Sequence, residues 1–150
     1  MEVSQKLLNE QIVDQIREFF AQLDQPVEVL FFGKKTDCDY CEDTLQLLKE
    51  VIEISDKLSF HELDIEDDAA LAQQYHVDKV PGIVIAGKDG DRIMDYGIRF
   101  AGIPSGHEFT SLIQDLILVS SRNSGLEEGT RRFIQELKQP VLLQVFVTPT

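Results

Sequence analysis

The sequence predicts an α/β fold, a mixed sheet flanked by helices, followed by a helix and a strand that open a second, incomplete unit of the same kind. Three observations point there. Apolar residues switch repeatedly between helical and strand spacing from Leu8 to Ser121, an Asp-Gly pair separates two β-prone runs, and the segment from Glu18 to Gly33 recurs 114 positions later.

Leu8, Ile12, Ile16, Phe19 and Leu23 recur at helical spacing and predict a first helix with one buried stripe, ended by Pro26 just after Gln25. Val27 to Phe32 reads as a strand that is apolar except at Glu28, as expected for a central strand covered on both faces. After Gly33-Lys34-Lys35-Thr36-Asp37 comes Cys38-Asp39-Tyr40-Cys41, and Leu45, Leu48, Val51 and Ile52 continue a helical face to about Ser55. Phe60, Leu63 and Ile65 predict a second strand. Asp67 to Tyr75 predicts a short helix whose opening acidic residues suit the positive end of its dipole. The runs Ile83 to Ala86 and Arg92 to Ile98 flank Lys88-Asp89-Gly90-Asp91, where Asp-Gly supplies the positive dihedrals of a hairpin turn. Ser105-Gly106-His107-Glu108 fits a capping box ahead of the helical stripe Phe109, Leu112, Ile113, Leu116 and Ile117.

The repeat sets the organisation of the rest. In register, Phe19 matches Phe133, Leu23 matches Leu137, Gln25 matches Gln139, Pro26 matches Pro140, Val27 matches Val141 and Phe32 matches Phe146. Helix, proline and strand therefore come round again, and the expected division is residues 1–121 as the first unit and 122–150 as the helix and strand opening the second. The same register places a second reactive pair just after Thr150. The apolar strand 141–147 is expected to pack on the first unit or to pair with another chain, giving a homo-oligomer.

With 150 residues, 43% of them hydrophobic, the chain is long enough to bury one sizeable core without staples. Its 27 acidic and 14 basic side chains give a formal charge of -13, which opposes binding to nucleic acid or an anionic membrane and otherwise serves solubility. The start Met1-Glu2-Val3-Ser4-Gln5-Lys6 lacks the apolar run of a secretory signal, and no stretch reaches membrane-spanning length. The expected location is the cytoplasm, where a Cys-x-x-Cys pair is more often redox-active or metal-binding than structural.

Cys38 and Cys41 are the chain's only cysteines. A disulfide between residues so close in sequence constrains little of the unfolded chain, so the pair reads as chemistry. At the head of a helix the first cysteine meets unpaired backbone N–H groups and the positive end of the dipole, which favour thiolate, and Cys38 is the expected nucleophile. Cys41, one turn in, is the expected resolving thiol. A closed zinc site would need two further ligands from His61, His76 and His107, which are widely scattered, so no metal is expected. Asp37, Asp39, Glu42 and Asp43 surround the sulfurs and are opposed locally by Lys34 and Lys35, which points to a disfavoured thiolate and a reducing pair.

Strand, Cys-x-x-Cys, helix, then Val80-Pro81 before a strand and a hairpin, is an arrangement that resembles the thioredoxin superfamily. Within it the chain is similar to the archaeal and bacterial protein disulfide oxidoreductases, or glutaredoxin-like proteins, built from two tandem thioredoxin-fold units. Phe100-Ala101-Gly102-Ile103-Pro104-Ser105-Gly106-His107-Glu108-Phe109 looks like that family's stretch before the last helix of its first unit, and Val145-Phe146-Val147-Thr148-Pro149-Thr150 like the approach to its second pair. The resemblance implies a thioredoxin-like fold, a cis Pro81 lying against the cysteines, and Val80 pairing its backbone with an extended substrate segment. It also implies protein disulfides as substrates, a thioredoxin-reductase-like flavoprotein as electron donor, and no bound organic cofactor. Tyr40 stands where typical glutaredoxins carry the tyrosine of a Pro-Tyr pair, and joins Val80 and Pro81 as an expected substrate contact, although Asp39 departs from that pair. Two other readings stay open: a noncatalytic unit that docks substrates for a second site, and an iron–sulfur centre shared between two chains.

Overall fold

The computed structural model describes residues 5–148. Along them run α1 (Glu10–Phe20), β1 (Val27–Gly33), α2 (Cys41–Ile52), β2 (Leu58–Asp64), α3 (Ala69–Gln74), β3 (Gly82–Asp89), β4 (Arg92–Ala101), α4 (His107–Ser121) and α5 (Glu128–Gln135). The sheet has the order β2-β1-β3-β4, with β1 parallel to β2 and antiparallel to β3, and β3 antiparallel to β4. This is the mixed sheet flanked by helices that the sequence predicts.

Every residue of β1 is buried, because the strand is central and covered on both faces. Val27, Val29 and Phe31 meet α1, α2 and α4 through Ile16, Phe20, Leu48, Val51, Leu112 and Leu116, and Ile83 and Ile85 of β3 join them. Leu30 and Phe32 point the other way, with Val84, toward Ala72 and Tyr75 around the short α3. Period-two alternation along one strand thus feeds two separate cores.

Glu28 falls on the α3 face, beyond the reach of that short helix, and is 2% exposed. The Ser59 hydroxyl donates to its carboxylate, His61 Nδ1 lies 3.0 Å away and Lys88 Nζ 3.2 Å. The polar exception in β1 is therefore a fully partnered buried carboxylate.

Several local expectations are corrected. In α1 it is Phe20 that is buried with Ile16, while Phe19 is 55% exposed. Asp89 pairs with Arg92, so the hairpin turns through Gly90-Asp91 rather than Asp89-Gly90, with positive φ at Gly90. At α4 the N-cap is Gly106 at φ 61°, and Glu108 N–H bonds the Ser105 carbonyl, so no capping box forms. A φ of 61° is one that glycine adopts without a Cβ penalty.

Residues 141–147 form no strand and do not pack on the first unit: Leu142, Leu143, Val145 and Phe146 are all exposed. Neither edge of the sheet, β2 or β4, pairs with it. Met1 to Ser4, and the Pro149-Thr150 end of the stretch likened to a second active-site approach, lie outside the described residues.

Candidate active site

The site forms where β1 ends. Gly33 closes the strand with its carbonyl accepting from Ile65 N–H at 2.9 Å, and the chain leaves through Lys34 to Asp37. Asp37 adopts φ 56°, the left-handed region that aspartate tolerates better than most residues, and this redirects the backbone into Cys38. Cys38 and Cys41 form a disulfide with Cα atoms 5.5 Å apart. Helix α2 begins at Cys41 with Tyr40 as its N-cap, so Cys38 sits in the turn ahead of the helix rather than within its first turn. Thr44, fully buried, donates its hydroxyl to the Tyr40 carbonyl at 2.6 Å and its N–H to the same oxygen at 3.0 Å, fixing that turn.

Burial separates the two sulfur residues. Cys41 is 7% exposed and belongs to the larger core, whereas Cys38 is half-buried and only packs against it. Tyr40 is 58% exposed beside them.

The Val80–Pro81 peptide is cis. Because Phe32 pairs with Gly82 across β1 and β3, this proline lies at the end of the sheet from which the Cys38 loop departs. Its carbonyl accepts from Gly102 N–H at 2.8 Å, which brings in the β4–α4 loop. Val80 packs against the same core as Cys38 and Cys41. Cys38, Tyr40, Cys41, Val80 and Pro81 thus all lie at one end of the sheet.

A protein disulfide oxidoreductase from Aeropyrum pernix superposes with a TM-score of 0.75 at 32% identity, over 87% of this chain and 55% of that one. The chain has a thioredoxin-like fold and fits a thioredoxin-fold disulfide oxidoreductase family. The alkyl hydroperoxide reductase protein AhpF of Enterococcus faecalis gives a TM-score of 0.76 at 28% identity, over 89% of this chain and 62% of that one. In sequence, the AhpF of Pseudomonas aeruginosa is 29% identical over 121 residues, 81% of this chain and 20% of the relative, and that of Escherichia coli is 30% identical over 74% of this chain and 18% of the relative. The chain spans about a fifth of the length of these curated relatives. No family model matches.

The two sides of the site rest on glycines that sequence patterning did not single out. A Cβ at Gly33 would stand 2.9 Å from the Phe31 ring and 3.7 Å from Cys41 Sγ. A Cβ at Gly82 would meet the Lys79 carbonyl at 2.8 Å, so the chain can pass from the cis proline into β3 only without a side chain there. Thr44 was equally silent in the sequence, since nothing marks an i+4 threonine as the clamp of a turn. Among the described residues no group of three or more His, Cys, Asp and Glu side chains is placed to hold a metal ion. None of their helices is long and apolar enough to cross a membrane.

Proposed function

We propose that the chain exchanges disulfides with protein substrates, with Cys38 as nucleophile and Cys41 as resolving thiol. One observation carries the reading: a disulfide at the head of α2 whose first sulfur residue is half-exposed and whose second is buried. In the reduced pair the Cys38 thiolate attacks a substrate disulfide, one substrate sulfur leaves and takes up a proton, and a mixed disulfide forms. Cys41 then gives up its proton and attacks Cys38 Sγ, and the second substrate sulfur departs. Two electrons have passed to the substrate and the Cys38–Cys41 disulfide remains. Val80, at the half-buried edge before Pro81, offers backbone to an extended substrate, and exposed Tyr40 flanks its path. A thioredoxin-reductase-like flavoprotein returns the electrons, and the protein works in the cytoplasm.

Insulin-type disulfide reduction with a dithiol donor tests this. Wild type accelerates the reaction, Cys38→Ser abolishes it, and Cys41→Ser accumulates a mixed disulfide. If wild type were as inert as both variants, a noncatalytic docking unit would replace the exchange reading.

The likeness to AhpF favours a second reading, in which the same pair relays electrons toward a hydroperoxide-reducing partner. Oxidation of the reduced pair on mixing with such a partner, but not with a protein disulfide, would select it.

Residues 122–150 are, on this view, the opening of a second thioredoxin-like unit. The repeat register and the amphipathic α5, which overlaps the second half of the span that the same shift of α1 gives, support that division. The exposed apolar segment 141–147 pairs between copies of the chain.

A further inference from the structure

Lys34 and Lys35 are the basic residues between β1 and α2, and both are ion-paired across to the β2–α3 loop. Lys34 Nζ lies 3.0 Å from Glu66 Oε1, and Lys35 Nζ donates to Asp67 Oδ2. The acceptor loop is built to hold its place. The Asp64 carboxylate accepts from the N–H groups of Glu66 and Asp67 at 2.8 and 3.1 Å, and the Asp68 carboxylate accepts from Asp64 N–H at 2.8 Å. The Ile65 N–H to Gly33 carbonyl bond ties this loop to the strand end that leads into Cys38.

Next to the cysteines in sequence, Asp37, Asp39, Glu42 and Asp43 are exposed, and among the described residues none of them is in an ion pair, although Asp37 adds its charge to those that raise Lys34. Ahead of Pro81, Asp78 and Lys79 pair with each other at 2.9 Å and bring no net charge.

We infer that Glu66 and Asp67 are positioning residues for the exchange thiol: by holding Lys34 and Lys35 in ion pairs, they withhold the loop's positive charge from Cys38 and leave it in a net negative field. Negative surroundings disfavour the thiolate, and a disfavoured thiolate weakens the reduced state relative to the disulfide, so the β2–α3 loop makes the pair more reducing. Both lysine pKa values are raised, first by these carboxylate hydrogen bonds and then by the same carboxylates' charge. The inference rests on Cys38 being the exchange thiol. All these groups stand in or near solvent, so the expected effect is modest and sensitive to salt.

Thiolate absorbance titrations in a Cys41→Ser background test it without turnover. E66Q/D67N, which keeps the hydrogen bonding and removes the charge, raises the thiolate fraction at neutral pH roughly 3-fold at low salt, the effect of about half a pH unit. K34Q/K35Q lowers it by about the same factor, since two carboxylates are then uncompensated. The quadruple variant titrates like wild type, and all differences shrink in high salt. With both cysteines present, E66Q/D67N is the more oxidising pair against a glutathione buffer. An unchanged titration in E66Q/D67N overturns the inference, as does a quadruple variant that follows K34Q/K35Q, because the lysines would then support the thiolate despite their pairing. Thermal midpoints close to wild type confirm that the variants are folded. A wild type that titrates as expected but is inert in insulin reduction would remove the exchange reading and leave the charge assignment standing.

Discussion

Glu28 shows how a single residue can stand against the pattern around it. Burial by itself pushes its carboxyl pKa up, but hydrogen bonds from Ser59, His61 and Lys88, with the Lys88 charge, outweigh that and hold it below its ordinary value of 4.5. A carboxylate whose folded pKa is depressed adds stability that is present above the unfolded value and is lost as pH falls through the folded one. Urea denaturation of wild type should therefore lose stability on acidification below about pH 4.5, and Glu28→Gln should flatten that slope. At neutral pH the same substitution should destabilise by about 1–3 kcal/mol, because Lys88 and His61 lose their charged acceptor. What was legible at this scale was the close pair of cysteines, which the fold joins in a disulfide; the cis Val80–Pro81 bond was implied by the resemblance. Gly33, Thr44 and Gly82 were not legible, because what requires them is a neighbour distant in sequence or a turn whose geometry appears only when folded.

Elements are held to one another by a few bonds at the end of the sheet opposite the disulfide. Ser120, fully buried near the end of α4, donates its hydroxyl to the Gln25 carbonyl at 2.7 Å and accepts from Asp24 N–H at 2.8 Å. Arg122, at φ 55°, donates to the carbonyls of Val119, Pro26 and Lys88 at 2.7, 2.8 and 3.0 Å. The end of the last helix of the unit is thereby bonded to the start of its central strand. Ser120→Ala leaves a donor and an acceptor without partners and should lower unfolding stability by about 1–3 kcal/mol in chemical denaturation, with the Cys38–Cys41 chemistry unchanged. Helices and strands were readable from periodicity because each must bury one face. Their ends were less so: the shift from Phe19 to Phe20, the Gly90-Asp91 turn and the Gly106 N-cap all depend on backbone dihedrals, to which hydrophobic spacing is blind.

Across the whole molecule, order and burial change after Arg122. Within the unit that closes there, side chains on both faces of the sheet are packed; in α5 and the segment after it, Phe133, Ile134, Val141, Leu143 and Phe146 are exposed. Arg131 bonds only the nearby Asn123 side chain and Leu126 carbonyl, so α5 leans on its own linker. Removing residues 126–150 should leave the thermal midpoint of the remaining unit within about 2 °C, since none of the described residues there is buried, while any self-association seen by light scattering disappears. An unchanged oligomeric state would count against pairing through 141–147. The sequence by itself determined the class of fold and the Cys38–Cys41 spacing at a strand-to-helix junction, because these follow from composition, short spacings and local backbone chemistry; the cis Pro81 was implied by the resemblance and is seen in the fold. Only the tertiary structure decided which sulfur residue is half-exposed, that Lys34 and Lys35 are taken by Glu66 and Asp67, and that 141–147 is not a strand. Exposure, ion pairing and strand formation belong to what surrounds a segment in space, and a linear spacing carries no record of that.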